Sequence, residues 1–193
     1  GLAPCSAMRV NFVGELGWEL HHPIEYQNHI FDQLMEAGKE FGLKPYGIRA
    51  MNSLRVEKSY KLVGTELSIE YSPYESGLDR FVHPNKGDFI GRAALDKWRA
   101  KGFSNKLVTM EIHGVTDADV LGNNPIYDNG SVVGRATSGD FGFRLNKSIA
   151  LAVVKNGKKL KGKKLYVPMP NKTIEVIVSD TIFLDKEGKR LNA

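Results

Sequence analysis

The chain has 193 residues, 41% hydrophobic and 25% charged, with a formal net charge of +5. That length holds one domain with a good core or two small ones, and the mix is that of an ordinary globular protein, not a disordered or fibrous one. No apolar run approaches the roughly 20 residues of a membrane-spanning helix, and the single cysteine, Cys5, excludes an internal disulfide and fits a reducing compartment. The opening residues Gly1-Leu2-Ala3-Pro4-Cys5 carry neither a basic leader nor an initial Met, so a processed or truncated chain is expected.

In chain order, Met8 to Val13 reads as a strand and Trp18 to His22 as its partner, with Gly14 and Gly17 bracketing the connection. Tyr26, Ile30, Leu34, Ala37 and Phe41 recur three or four apart, which predicts a helix over 24–41 that starts after Pro23 and ends at Gly42. A second helix is expected over 46–58, with Ile48, Met51 and Leu54, and Val56 as a further candidate, facing inward, and Arg49, Asn52, Ser53 and Val56 sharing another side. Residues 64–84 are rich in turn formers. A short helix over 91–101 is expected to bury Ala94, Leu95 and Trp98.

After Gly102 the pattern changes to short alternating runs over 107–113, 132–138, 149–154, 165–167 and 174–178, with Asp128-Asn129-Gly130 and Asn156-Gly157 as tight-turn signals. That spacing suggests a small barrel or sandwich. The expected fold class is therefore α+β in two parts. Residues 1–101 form a hairpin with helices that is incomplete as a fold, because one hairpin is a poor sheet by itself. Residues 102–193 form a small antiparallel β-barrel.

Standard catalytic motifs are absent. There is no P-loop, and Gly14 and Gly17 do not make a dinucleotide fingerprint. His21, His22, His29, His83 and His113 show no metal-ligand spacing, and Ser138-Gly139-Asp140 is not a nucleophile elbow. Cys5 reads as a small apolar filler. Lys155, Lys158, Lys159, Lys161, Lys163 and Lys164 hold much of the positive charge. They read as a solvated hairpin that protects a sheet edge, or as a patch for anions such as nucleic acid. No aromatic residues interleave with them, so nucleic acid is not the expected partner.

Five segments carry a resemblance. Arg9 to Leu20 contains an aromatic residue followed by Gly14-Glu15-Leu16-Gly17-Trp18-Glu19. Gly47 to Lys58 contains Ser53-Leu54-Arg55-Val56-Glu57. Pro73-Tyr74-Glu75-Ser76-Gly77-Leu78, Phe89-Ile90-Gly91-Arg92 and Gly134-Arg135-Ala136-Thr137-Ser138-Gly139 follow in order. Together they resemble the glycine-cleavage T-protein (aminomethyltransferase) superfamily. Gly139-Asp140-Phe141-Gly142 and the tail 185–190 lean towards its dimethylglycine and sarcosine dehydrogenase branch. Aminomethyltransferases and sulfoniopropionate demethylases are close cousins.

The resemblance implies that residues 1–101 are the C-terminal half of a folate-binding domain and 102–193 its C-terminal barrel. In such dehydrogenases a flavin domain oxidises an N-methyl group and the folate domain captures the one-carbon unit as methylene-tetrahydrofolate. Glu19 aligns with the glutamate that holds the pterin, where a carboxylate accepts two parallel hydrogen bonds. Leu20 and His21 align with neighbouring folate contacts. Phe12 takes a position that is usually Tyr, keeping the aromatic face and losing the hydroxyl. Arg49 aligns with an arginine near the benzoyl-glutamate end. The implied cofactor is tetrahydrofolate, with FAD in a preceding part. The catalytic aspartate also belongs to that preceding part, so no catalytic residue is expected in this chain and the chain alone is expected to be inactive. Expected partners are folate, the preceding half of the same enzyme, and a second copy through exposed apolar surface, with no membrane. The expected location is the cytoplasm, or the mitochondrial matrix in a eukaryote. A basic nucleic-acid-binding module and a non-catalytic regulatory relative are the alternatives from other classes.

Overall fold

The computed structural model describes residues 2–114, 120, 122–179 and 182–192, and the side chain of Lys158 lies outside what is described. The first half contains a two-stranded sheet, β1 (Ser6–Met8) and β2 (Glu19–His21), and three helices, α1 (Gln27–Ala37), α2 (Ile48–Glu57) and α3 (Arg92–Lys101). The second half contains β3 (Asn105–Ile112), β4 (Pro125–Asp128), β5 (Ser131–Gly142), β6 (Lys147–Lys155), β7 (Lys164–Met169) and β8 (Lys172–Ser179). These six strands close an antiparallel barrel in the order β3-β6-β5-β4-β7-β8, with β8 returning to β3.

Period-two alternation fills the barrel. Val108, Met110 and Ile112 of β3, Ala150, Ala152 and Val154 of β6, and Ile174, Val176 and Val178 of β8 form one buried cluster. β6 is buried on both faces, because its alternate residues Ile149 and Leu151 pack outside the barrel against Val56 of α2. That contact seats α2 on the outer wall. The turn between β4 and β5 places Asn129 at φ 47 and Gly130 at φ 80, the mirror-image turn that Asn-Gly favours.

The structure corrects several expectations. The first strand stops at Met8 rather than running to Val13, and pairs Ser6 with His21 and Met8 with Glu19. Residues 9–18 leave the pairing because their polar groups are taken elsewhere. Arg144 binds the Val13 carbonyl, and Leu16 N–H donates to the Arg190 carbonyl at 2.9 Å. The helix expected over 24–41 is α1 flanked by 3-10 turns at Ile24–Tyr26 and Lys39–Phe41. α1 and α3 bury no residue, so Ala94, Leu95 and Trp98 are not core. The inward face of α2 is also not the expected one. Ser53, Arg55, Val56 and Glu57 are buried while Ile48 is 76% exposed. The groups that meet α2 on the barrel are mostly polar, so its polar side goes in.

The lysine-rich segment is not a hairpin. β6 and β7 are not neighbours. Their connection passes β3 and β8 through a 3-10 turn at Gly157–Leu160, held by Asn156 N–H to the Ser104 carbonyl at 2.7 Å and Gly162 N–H to the Val178 carbonyl at 2.8 Å. A closed barrel has no free edge there to protect. Lys163 and Lys164 instead pair with Asp128 and Glu175.

Candidate binding cleft

A single bulge makes the floor of the main cleft. On β5, Ala136 faces Ala152 and Ser138 faces Leu151, so Thr137 is an extra residue. In unbroken alternation Ser138, two residues after Ala136, would point into the barrel interior. With the extra residue, Ser138 and Asp140 turn to the outer wall, towards α2. Gly139 lies between them, and a Cβ there would collide with the Val120 carbonyl.

The outer wall and α2 are joined by a polar chain. Asn52 Nδ2 donates to Asp140 Oδ2 at 2.6 Å, and Asn52 Oδ1 accepts from Arg55 Nε at 2.9 Å. Arg55 also donates to the Ser138 hydroxyl at 2.7 Å and to the Tyr60 carbonyl at 2.9 Å. Ser138 in turn donates to Glu66 Oε1 at 2.6 Å, and Glu66 lies 3.6 Å from the Arg55 guanidinium. Arg55 and Glu66 are buried. Burial pushes the Arg55 guanidinium below its ordinary value, opposed by the charges of Glu66 and Asp140. Burial also opposes ionisation of Glu66, but the hydrogen bonds from Ser138 and Leu62 N–H and the charge of Arg55 outweigh it and hold the carboxyl below the usual range. A second hub closes the other side. Arg144, in the β5–β6 turn, binds Glu57, Glu15 and the Val13 and Leu54 carbonyls. It draws the 9–18 connection against α2 and so carries Phe12 to the cleft.

The resulting cleft has a volume of about 800 Å³, within the range of small-molecule sites. Phe12, Arg49, Met51, Asn52, Ser138 and Asp140 are among its lining residues. Phe12 and Arg49 are therefore brought together. Arg49 makes no hydrogen bond or ion pair to any described residue. Glu19, Leu20 and His21 lie on β2 and do not line the cleft. Glu19 and His21 are 3.3 Å apart with both side chains more than half exposed. Asp140, which the sequence marked only by resemblance, is the one carboxylate in the lining among the described residues. Its signal in the sequence was the polar side of α2, which needs polar partners. No cluster of metal-ligating side chains occurs among the described residues. No helix of the described residues is long and apolar enough to cross a membrane.

Two family models match the chain, the GCVT N-terminal domain over residues 1–86 and the glycine cleavage T-protein C-terminal barrel domain over residues 105–185. The human mitochondrial dimethylglycine dehydrogenase is 43% identical over 152 residues, covering 78% of this chain and 17% of that protein. The aminomethyltransferase of Caldanaerobacter subterraneus subsp. tengcongensis is 35% identical over 186 residues, covering 96% of this chain and 49% of that protein. The crystal structure of glycine cleavage system aminomethyltransferase T from Bartonella henselae superposes with a TM-score of 0.83 at 24% identity over 93% of this chain and 50% of that one, which shows the same fold. The chain spans about half the length of the aminomethyltransferases it matches and a smaller share of the dehydrogenase. The chain belongs to the glycine-cleavage T-protein superfamily.

Proposed function

We propose that this chain is the C-terminal folate-binding part of a dimethylglycine or sarcosine dehydrogenase-like enzyme. The observation that carries the reading is the unpartnered Arg49 guanidinium in the same cleft as the Phe12 ring. A guanidinium pairs a carboxylate in a planar fork, and an aromatic face accepts a planar heterocycle. Both fit tetrahydrofolate, which has an amino-pyrimidinone ring at one end and glutamate at the other. When bound, tetrahydrofolate supplies N5 as the acceptor of the one-carbon unit. In this reading Arg49 holds the glutamate end and Phe12 packs on the ring system, while Glu19, Leu20 and His21, outside the cleft lining, meet only a part of the ligand that reaches the hairpin. Support for the branch is the identity to dimethylglycine dehydrogenase over most of the chain.

Amine oxidation and FAD belong, on this proposal, to residues outside this chain, as does the catalytic aspartate. The chain alone then binds without turnover. The bare apolar faces of α1 and α3 are proposed to meet the preceding half of the folate domain.

Titration with tetrahydrofolate and with single-stranded DNA at two salt concentrations tests the reading. The proposal expects folate binding that is weakened by loss of Arg49, with a further loss on changing Glu19 if the ligand reaches the hairpin, and that falls less with salt than nucleic-acid binding does. Nucleic-acid binding that collapses with salt, with no folate binding, would replace it with the basic-module alternative.

A further inference from the structure

Beyond the C-terminal end of α2 lies a second cavity whose chemistry the folate reading does not use. Ser59 follows the helix cap with φ 58, a left-handed conformation in which glycine is the usual residue. Its hydroxyl is buried and has no hydrogen-bond partner among the described residues. A strained backbone and an unsatisfied buried hydroxyl are two costs at one residue, and such costs concentrate where something is bound.

Lys61 stands two residues on. Its side chain is partly buried and makes no hydrogen bond or ion pair to any described residue. Burial pushes its ammonium below the ordinary lysine range, and the charge of Arg80 adds to the effect. The charged groups around it are Arg80 and Lys106 as cations and Glu66 and Asp79 as anions. Both acids are already engaged. Glu66 is held by Ser138 and Arg55, and Asp79 accepts from Lys106 at 3.0 Å. Arg80 lies over the Phe81 ring, 4.7 Å from its centre, and has no carboxylate partner among the described residues. Lys61, Arg80 and Ser59 all line one space. Arg80 is exposed, so the cost of an uncompensated charge falls on the partly buried Lys61 until an opposite charge meets it.

That space is a cavity of about 420 Å³ lined by Phe12, Lys58, Ser59, Lys61, Arg80 and Phe81, among others. Lys58 is occupied by Asp185 at 3.2 Å. Phe12 lines this cavity as well as the main cleft, so the two adjoin at its ring.

We propose that this cavity is an oxyanion site in which Lys61, Arg80 and the Ser59 hydroxyl together hold a phosphate or carboxylate group. The hydroxyl donates one hydrogen bond, and the ammonium and guanidinium donate charge-assisted ones. The volume exceeds that of a bare ion, so the group is carried on a small molecule. The site is distinct from Arg49 and does not depend on folate binding.

The test uses the whole chain without folate. Inorganic phosphate and acetate are titrated separately by calorimetry at fixed ionic strength, against wild type, Lys61→Met, Ser59→Ala and Lys155→Met. Saturable binding by wild type is expected, about tenfold weaker in Lys61→Met and weakened less in Ser59→Ala, with Lys155→Met unchanged. Tighter phosphate assigns the site to a phosphoryl-bearing ligand, and tighter acetate to a carboxylate-bearing one. Without anion, Lys61→Met should melt no lower than wild type, because it removes an unpaired, partly buried charge, so lost binding cannot be lost folding. No saturable binding to wild type, equal binding by Lys61→Met, or an equal loss in Lys155→Met would overturn the proposal.

Discussion

Asn52 and Asp140 meet at 2.6 Å across the junction of α2 and β5, and the same Asn52 amide accepts from Arg55. One side chain therefore ties a helix to a barrel strand and orients the buried arginine. Asn52→Leu keeps the approximate volume and removes both bonds. It should cost about 1–3 kcal/mol in urea unfolding, since Asp140 and Arg55 each lose a partner. A change within about 0.5 kcal/mol would show that the bond contributes nothing to folding.

Glu66 makes the junction acid-sensitive. Its carboxyl titrates below the 4.5 of an ordinary glutamate. As pH falls below 4.5 the unfolded chain takes up the proton first, so this contribution to stability is full above that pH and is lost through the folded-state value. Thermal melts across that acid range should show the loss in wild type and a shallower one in Glu66→Gln. At neutral pH the same substitution should cost about 3–5 kcal/mol, because Arg55 stays buried without its counter-charge. Identical pH profiles for the two proteins would contradict this account of the junction.

The two halves should respond unequally to truncation. Leu151 is 1% exposed between the barrel and α2, so Leu151→Ala should cost about 2–5 kcal/mol. Leu34 on α1 is 44% exposed, and Leu34→Ala in this chain should stay within about 0.5 kcal/mol. Chemical denaturation of both variants checks the contrast, and equal losses would mean that α1 is packed.

Phe31, Leu34, Phe41, Tyr46 and Ile48 are all exposed, and large apolar side chains left in water favour association. Light scattering should give a mass that rises with concentration, and co-expression with the preceding half of the folate domain should suppress the rise. A strict monomer at all concentrations would argue against both partners.

Much of the barrel was legible because alternation along 107–113, 149–154 and 174–178 reports burial directly, and Asn129-Gly130 dictates its turn. β4 escaped notice because Pro125–Asp128 is too short to alternate. The lysine segment misled because Asn-Gly marks a turn without saying which strands it joins. In the first half, apolar spacing located the helices but not their buried faces. Periodicity assumes that the apolar side turns in, whereas α2 meets Ser138, Asp140 and the carbonyl of Phe141. In the cleft, resemblance singled out Phe12 and Arg49, which share the lining. Asp140 depended on a one-residue bulge at Thr137, and no local pattern announces a bulge that long-range pairing creates.

The proposal that tetrahydrofolate occupies the cleft between α2 and β5 is tested most directly by amide hydrogen exchange of the whole chain with and without the ligand. It predicts slowed exchange at residues 49–55 and 137–140 and around Phe12, with the far barrel strands β7 and β8 unchanged. Slowing confined to β7, β8 or the lysine-rich connection, or no slowing at saturating tetrahydrofolate, would contradict it.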